Sequence, residues 1–138
     1  MTQQPRHIEV AASTENLIQV RNFVGEHARR HGFSEKETEQ IRLSVDEAMT
    51  NVIKHAYDFD SSQKIYVSVG AEDRTFWVAI QDTGRAFDVS AYKVPNVPER
   101  IKKRQKGGVG VYLIKQLMDK VEYSTSNQQN EIRMIKNL

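Results

Sequence analysis

The chain has 138 residues, of which 38% are hydrophobic and 28% charged, and this predicts a single globular domain rather than a disordered chain. A net charge of +2 gives no overall attraction to nucleic acid or membrane, and the absence of cysteine excludes disulfides, thiol nucleophiles and thiolate metal sites. The sequence shows neither an apolar leader nor a run of about 20 apolar residues that could span a membrane, so we expect a cytoplasmic protein.

The first half of the chain predicts one strand and two helices. Residues 8–11 are a candidate strand. Ser13 is a candidate N-cap for the first helix, which ends at His31-Gly32 because glycine is favoured just past a helix. Ser34-x-x-Glu37 is a capping box that opens a second helix. The apolar stripe of this second helix comprises Ile41, Val45, Ala48, Val52 and Ala56.

The second half predicts four strands, a long loop and a third helix. Apolar alternation predicts strands over residues 65–69 and 76–80, joined as a hairpin, and further strands over 121–125 and 132–134 with a turn at 127–130. Residues 84–106 lack any period, which is typical of a functional or mobile loop. The order β-α-α-β-β-loop-α-β-β predicts an α+β two-layer sandwich, with three helices on one face of a mostly antiparallel mixed sheet of about five strands.

Three polar side chains follow one another at four-residue spacing on the second predicted helix. Glu47, Asn51 and His55 therefore lie on one flank of its apolar stripe. An amide oxygen is a hard ligand that suits Mg²⁺, and a carboxylate one turn away could orient or deprotonate a nucleophile. The alternative is a solvated helix flank, because polar residues often recur at this spacing by chance.

Asp82-Thr83-Gly84 follows a predicted strand. The carboxylate could accept a hydrogen bond from an exocyclic amine such as that of adenine, and Gly84 would let a base or a backbone segment approach closely. The alternative is an ordinary turn, because aspartate and glycine both favour turns.

Gly107-Gly108-Val109-Gly110 precedes the third predicted helix, where backbone N–H groups can face an anion. The alternative is a flexible hinge. The segment is not a P-loop, because no Lys-Ser/Thr pair follows, and it is not a dinucleotide fingerprint, because residue 113 is leucine. The basic run at residues 99–106 lacks interleaved aromatics, which disfavours nucleic-acid binding, although Arg104 and Lys106 could reach a terminal phosphate.

The order of these motifs resembles the GHKL ATPase superfamily, and within it the bacterial anti-sigma-factor serine kinases. The pattern Glu-Ala-x-x-Asn-x-x-x-His-Ala-Tyr is matched by residues 47–57, Asp-x-Gly-x-x-Phe-Asp by residues 82–88, and Gly-Gly-x-Gly-x-x-Leu-Ile by residues 107–114. The resemblance covers about residues 8–138. It implies a single histidine-kinase-like ATPase domain over residues 1–138, with the Bergerat-type ATP-binding fold and an ATP lid at about residues 91–106.

The resemblance also implies an activity and its partners. The chain would be an ATP-dependent protein serine kinase that phosphorylates a STAS-type anti-sigma-factor antagonist and binds a sigma factor. It would form a homodimer and contact neither membrane nor nucleic acid directly. The implied site residues are Glu47 as general base, Asn51 as ligand of the Mg²⁺ on the ATP phosphates, Asp82 and Gly84 at adenine, and Gly108, Gly110 and Val111 at the phosphates. His55 is either part of the nucleotide site or packs at the helix end.

A nucleotide-binding, non-catalytic partner-switching module in another bacterial signalling pathway is the alternative function, and the retained Glu47 favours the kinase. An autonomous histidine kinase is disfavoured because the chain has no room for a phosphoacceptor hairpin.

The family often opens its last strand with Gly-Thr, whose threonine helps hold adenine through water. Here Asn130-Glu131 stands instead, so we expect that contact to be lost or replaced.

Overall fold

The computed structural model describes residues 6–86 and 108–138, with side chains from residue 112 onward in the second segment. The described elements are β1 (Arg6–Ala11), α1 (Leu17–His31), α2 (Glu35–Asn51), β2 (Lys64–Glu72), β3 (Thr75–Asp82), α3 (Gly108–Leu117), β4 (Lys120–Ser126) and β5 (Gln129–Asn137). A 3₁₀ turn, Thr14–Asn16, precedes α1, and a π-helical segment, Val52–Ala56, follows α2. The predicted order of strands and helices is confirmed.

The strands form one sheet in the order β1-β2-β3-β5-β4, and every pairing between the described strands is antiparallel. The chain leaves β3, passes through α3, and returns at the sheet edge as β4. Strand β5 then fills the gap between β3 and β4. This topology places the end of β3 beside the start of β5, in the register Asp82↔Asn130.

The core lies between one face of the sheet and the three helices. Inward-facing residues of β2, such as Ile65 and Val67, pack with Ile41 and Val45 of α2 in a single cluster. The opposite face of the sheet carries side chains such as Tyr66, which is 40% exposed. The predicted α+β sandwich with its helices on one face is therefore confirmed.

The helix boundaries follow from local hydrogen bonding. The Ser34 hydroxyl accepts from the Glu37 N–H at 3.1 Å, and the Glu37 carboxylate accepts from the Ser34 N–H at 3.1 Å, which is the predicted capping box. Gly32 ends α1 at φ 114°, a conformation that favours glycine. The first strand begins at Arg6, two residues before the predicted start.

The end of the second helix differs from the prediction. The α-helix stops at Asn51, and in the π-helical segment the Tyr57 N–H donates to the Val52 carbonyl at 3.0 Å, five residues back. His55 lies in this wider segment, so only Glu47 and Asn51 keep the predicted α-helical spacing. Single-turn π segments inside helices occur frequently at functional sites.

Candidate functional site

A small open pocket, called the cavity below, lies between the end of α2 and one end of the sheet. Its walls are mostly apolar, with one amide and one carboxylate among them. The lining residues are Ala48, Asn51, Val52, Ala56, Asp82, Tyr123 and Ile132. Apolar walls with a few convergent polar groups are typical of small-molecule sites. Two side chains predicted from separate motifs, Asn51 and Asp82, therefore meet in one cavity.

Asn51 is 8% exposed, which rules out the solvated helix flank for this residue. Its Nδ2 is buried and has no hydrogen-bond partner within the described part of the chain. A buried amide nitrogen without a partner lowers stability, and here the group lines a cavity in which a ligand could supply the partner. The same amide presents a hard oxygen when its terminal group is turned, and this chemistry fits Mg²⁺.

Asp82 is 4% exposed at the end of β3. Its Oδ1 accepts hydrogen bonds from the Gly84 N–H at 2.9 Å and from the Asn130 Nδ2 at 2.8 Å. Burial raises the pKa of Asp82 above its usual value, while the hydrogen bonds from Asn130 and Gly84 oppose that rise. Because the net shift is upward, the protonated form of Asp82 is favoured more in the folded protein than in the unfolded chain. The stability that this difference contributes is lost as pH rises through the pKa of Asp82 in the folded protein. Shifted pKa values of this kind are concentrated at functional sites.

Gly84 lies against the π-helical segment. A Cβ at this position would overlap the Ala56 carbonyl oxygen and would lie 2.9 Å from Cδ1 of Tyr57. The Arg85 N–H donates to the same Ala56 carbonyl at 2.8 Å. Of the two close approaches predicted for Gly84, the described residues show the approach of a backbone segment.

Tyr57 connects three elements at the site, and sequence analysis gave it no separate role. Its hydroxyl donates to the Lys64 carbonyl at 2.7 Å and accepts from the Thr83 N–H at 2.8 Å. The side chain is 6% exposed. Tyr57 therefore ties the end of the π-helical segment to the start of β2 and to the turn that follows Asp82.

Replacing Tyr57 by phenylalanine is expected to lower the free energy of unfolding by about 1–3 kcal/mol, because the Lys64 carbonyl and the Thr83 N–H lose their buried partner. Urea unfolding measures the change as a lower midpoint with an unchanged slope. Tyr66→Phe, on the exposed face of the sheet, is the matched control and should stay within about 0.5 kcal/mol of wild type. Equal midpoints for the two variants would contradict the structural role of Tyr57.

The glycine segment opens α3, which begins at Gly108. The first four N–H groups of a helix have no partner within it, and those of Gly108, Gly110 and Val111 belong to this set. Helix α3 packs against α2 and β4, the elements that contribute Asn51 and Tyr123 to the cavity. The predicted lid at residues 91–106, with Arg104 and Lys106, lies outside the described residues.

Glu47 and His55 do not line the cavity. Both are half-buried; Glu47 lies on α2 one turn before Asn51, and His55 lies in the π-helical segment. The place of His55 in the nucleotide site stays a prediction.

Asn130 was expected in a turn, and this was wrong. The turn consists of Asn127 and Gln128, whose φ angles are 53° and 64°, as in tight two-residue hairpins. Strand β5 consequently begins at Gln129, and Asn130 is an inward-facing strand residue, 1% exposed. Ile132 and Met134 alternate along the strand with their side chains facing inward, and Asn130 lies two residues before Ile132 in the same alternation. This pattern could have revealed its position.

The two-layer sandwich and the cavity with a buried amide and a buried carboxylate define a histidine-kinase-like ATP-binding domain. The family model described as "Histidine kinase-like ATPase domain" matches residues 10–136. The chain belongs to this family, and the predicted membership is confirmed.

Curated relatives narrow the class further. The chain is 33% identical over 119 residues to the "Serine-protein kinase RsbW" of Oceanobacillus iheyensis, covering 83% of this chain and 75% of that protein. It is 37% identical over 125 residues to the protein of the same name from Halalkalibacterium halodurans, covering 86% and 76%. The protein of that name from Bacillus subtilis is 30% identical over 118 residues, covering 83% and 74%. The predicted resemblance to bacterial serine kinases is confirmed.

A solved structure shares the fold. The crystal structure of the RsbU and RsbW domains of a Mycobacterium tuberculosis protein matches with a TM-score of 0.70 at 17% identity, covering 99% of this chain and 33% of that one. The chain thus spans about a third of that larger protein. No described helix is long and apolar enough to cross a membrane.

Proposed function

We propose that this chain is an ATP-dependent protein serine kinase and anti-sigma factor. It phosphorylates a serine of a STAS-type anti-sigma-factor antagonist and binds a sigma factor. The observation that carries the proposal is the cavity in which the buried amide of Asn51, whose Nδ2 has no partner among the described residues, and the buried carboxylate of Asp82 meet. The family and the names of the relatives, which are serine-protein kinases, support the same activity.

Asp82 recognises the base in this proposal. The described residues donate two hydrogen bonds to its carboxylate, and Oδ1 accepts both of them. Oδ2 can therefore accept from the 6-amine of adenine. Val52, Tyr123 and Ile132 give the cavity apolar and aromatic surface for the faces of the base.

Asn51 would hold Mg²⁺, and the N–H groups at the start of α3 would bind the phosphates. When bound, the ion neutralises charge on the phosphates, which is a large part of what phosphoryl transfer requires of a protein. Glu47 is the general base that takes the proton from the substrate serine hydroxyl. It lies about 6 Å before Asn51 along the helix axis, and it is half-buried, so part of its side chain is open to a protein substrate.

The remaining features of the proposal concern organisation and location. Residues 1–138 form one domain with a lid at about residues 91–106, and the protein acts as a homodimer. The composition, which lacks cysteine, supports a cytoplasmic location.

The proposal is tested by incubating the protein with Mg²⁺, γ-labelled ATP and a STAS-type antagonist. We expect label on a serine of the antagonist, and this label should survive acid because phosphoserine, unlike phosphohistidine, is acid-stable. ATP binding without transfer to any antagonist would support the partner-switching module instead. Failure to bind ATP at all would contradict both functions.

A further inference from the structure

A chain of buried and partly buried hydrogen bonds crosses three neighbouring strands at the cavity. Asn130 Nδ2 donates to Asp82 Oδ1 at 2.8 Å and to the Gly84 carbonyl at 3.1 Å, and Asn130 Oδ1 accepts from the Thr125 hydroxyl at 2.9 Å. The residues stand opposite one another in register, as Asp82↔Asn130 and Thr125↔Asn130. Both ends of the Asn130 amide are therefore used within the sheet.

This arrangement fixes the direction of the Asn130 amide. A hydroxyl can donate to the amide oxygen, whereas a carboxylate and a carbonyl need donors and so face the amide nitrogen. Thr125 thus holds Oδ1 of Asn130 toward β4 and turns Nδ2 toward Asp82.

The fixed amide in turn constrains the Asp82 carboxylate. The terminal torsion of aspartate is broad when nothing restrains it. Here Oδ1 is held by two donors, Asn130 and the Gly84 N–H, while Oδ2 receives no hydrogen bond from the described residues and can accept one from a ligand. The free oxygen is an acceptor, so it suits a 6-amino purine and opposes a base whose 6-position is a carbonyl.

We propose that Asn130, oriented by Thr125, is a positioning residue for base selection and holds the Asp82 carboxylate so that its free oxygen accepts from the 6-amine of the bound nucleotide. This inference rests on the proposed function, because it takes ATP as the nucleotide. It assigns a role to the position where the sequence resemblance led us to expect a lost adenine contact. The neighbouring Glu131 lies on the outer face of the sheet, where it accepts from Gln81 Nε2 at 2.8 Å.

The test compares equilibrium binding of ATP with that of purine riboside triphosphate, which lacks the 6-amine. We expect wild type to prefer ATP by roughly tenfold or more, as for a hydrogen bond to a charged acceptor. Asn130→Ala should weaken ATP binding by about that factor and leave purine riboside triphosphate binding within about twofold. The preference for the 6-amine then shrinks, a result that loss of packing alone would not give.

Two further variants complete the experiment. Thr125→Val keeps the shape of an exposed side chain and removes only the hydroxyl, so it should reduce the preference in the same direction but less. If Asn130→Ala does not fold, the preference of Thr125→Val for ATP tests the inference instead. Glu131→Ala, on the same strand but the opposite face, should leave the preference unchanged.

Three outcomes would overturn the inference. The first is that Asn130→Ala loses affinity for ATP and for purine riboside triphosphate equally. The second is that Asn130→Ala and Thr125→Val keep the wild-type preference for ATP. The third is that wild type binds the two ligands equally. A wild type that binds neither ligand contradicts the proposed function itself, and this result is distinct from the other three.

Discussion

Replacing Glu47 by glutamine is expected to slow phosphoryl transfer to the antagonist serine about 10²–10⁴-fold, the usual contribution of a positioned general base. Glutamine keeps the size and the hydrogen-bonding capacity of the side chain but cannot take a proton. Glu47 does not line the cavity that contains Asn51 and Asp82, so ATP affinity should stay within about twofold of wild type. Single-turnover transfer and equilibrium ATP binding measure the two effects separately.

Asn51→Ala is the matched comparison, one helical turn away on α2. It removes the cavity amide, so it should weaken binding of Mg²⁺-ATP itself and have a smaller effect on nucleotide binding measured with EDTA. Equal effects of the two substitutions on binding would contradict the division of roles. Transfer at the wild-type rate by Glu47→Gln would show that the serine proton leaves by another route.

The boundaries that depend on local chemistry could be predicted from the sequence. The capping box at Ser34 and Glu37 and the glycine that ends α1 involve residues no more than a few positions apart, so the sequence contains the whole interaction. The pairing of Asn51 with Asp82 at one site was also predictable, but through the order of motifs rather than through any single one. Each motif alone favoured an ordinary structural interpretation.

The features that sequence analysis missed depend on contacts between distant segments. Asn130 contacts Asp82 across 48 positions of the chain, and only the register of β5 against β3 brings them together. Tyr57 contacts Thr83 across 26 positions, next to the π-helical segment whose Ala56 carbonyl accepts from the Arg85 N–H. An α-helical period offered no sign of that segment, because apolar spacing barely changes over five residues.

Gly84→Ala is expected to impair both folding and nucleotide binding. The added Cβ overlaps the Ala56 carbonyl, a backbone atom that cannot turn aside as a flexible side chain can. Overpacking of this kind lowers the free energy of unfolding by about 1–3 kcal/mol, which corresponds to a melting temperature lower by roughly 3–15 °C. The turn must shift to relieve the overlap, and the Gly84 N–H that bonds Asp82 Oδ1 then moves with it.

Gly25→Ala, in the middle of α1, provides the control for adding one methyl group. Its Cβ would meet Cδ of Arg42 at 3.1 Å, which is part of a flexible side chain, and alanine favours helix over glycine by about 0.5–1 kcal/mol. This variant should melt at or slightly above the wild-type temperature.

ATP in excess should raise the melting temperature of wild type and Gly25→Ala, because a ligand that binds only the folded state stabilises it. Gly84→Ala should show a much smaller rise, and a full rise would mean that the contact of Gly84 with the π-helical segment does not control the position of Asp82.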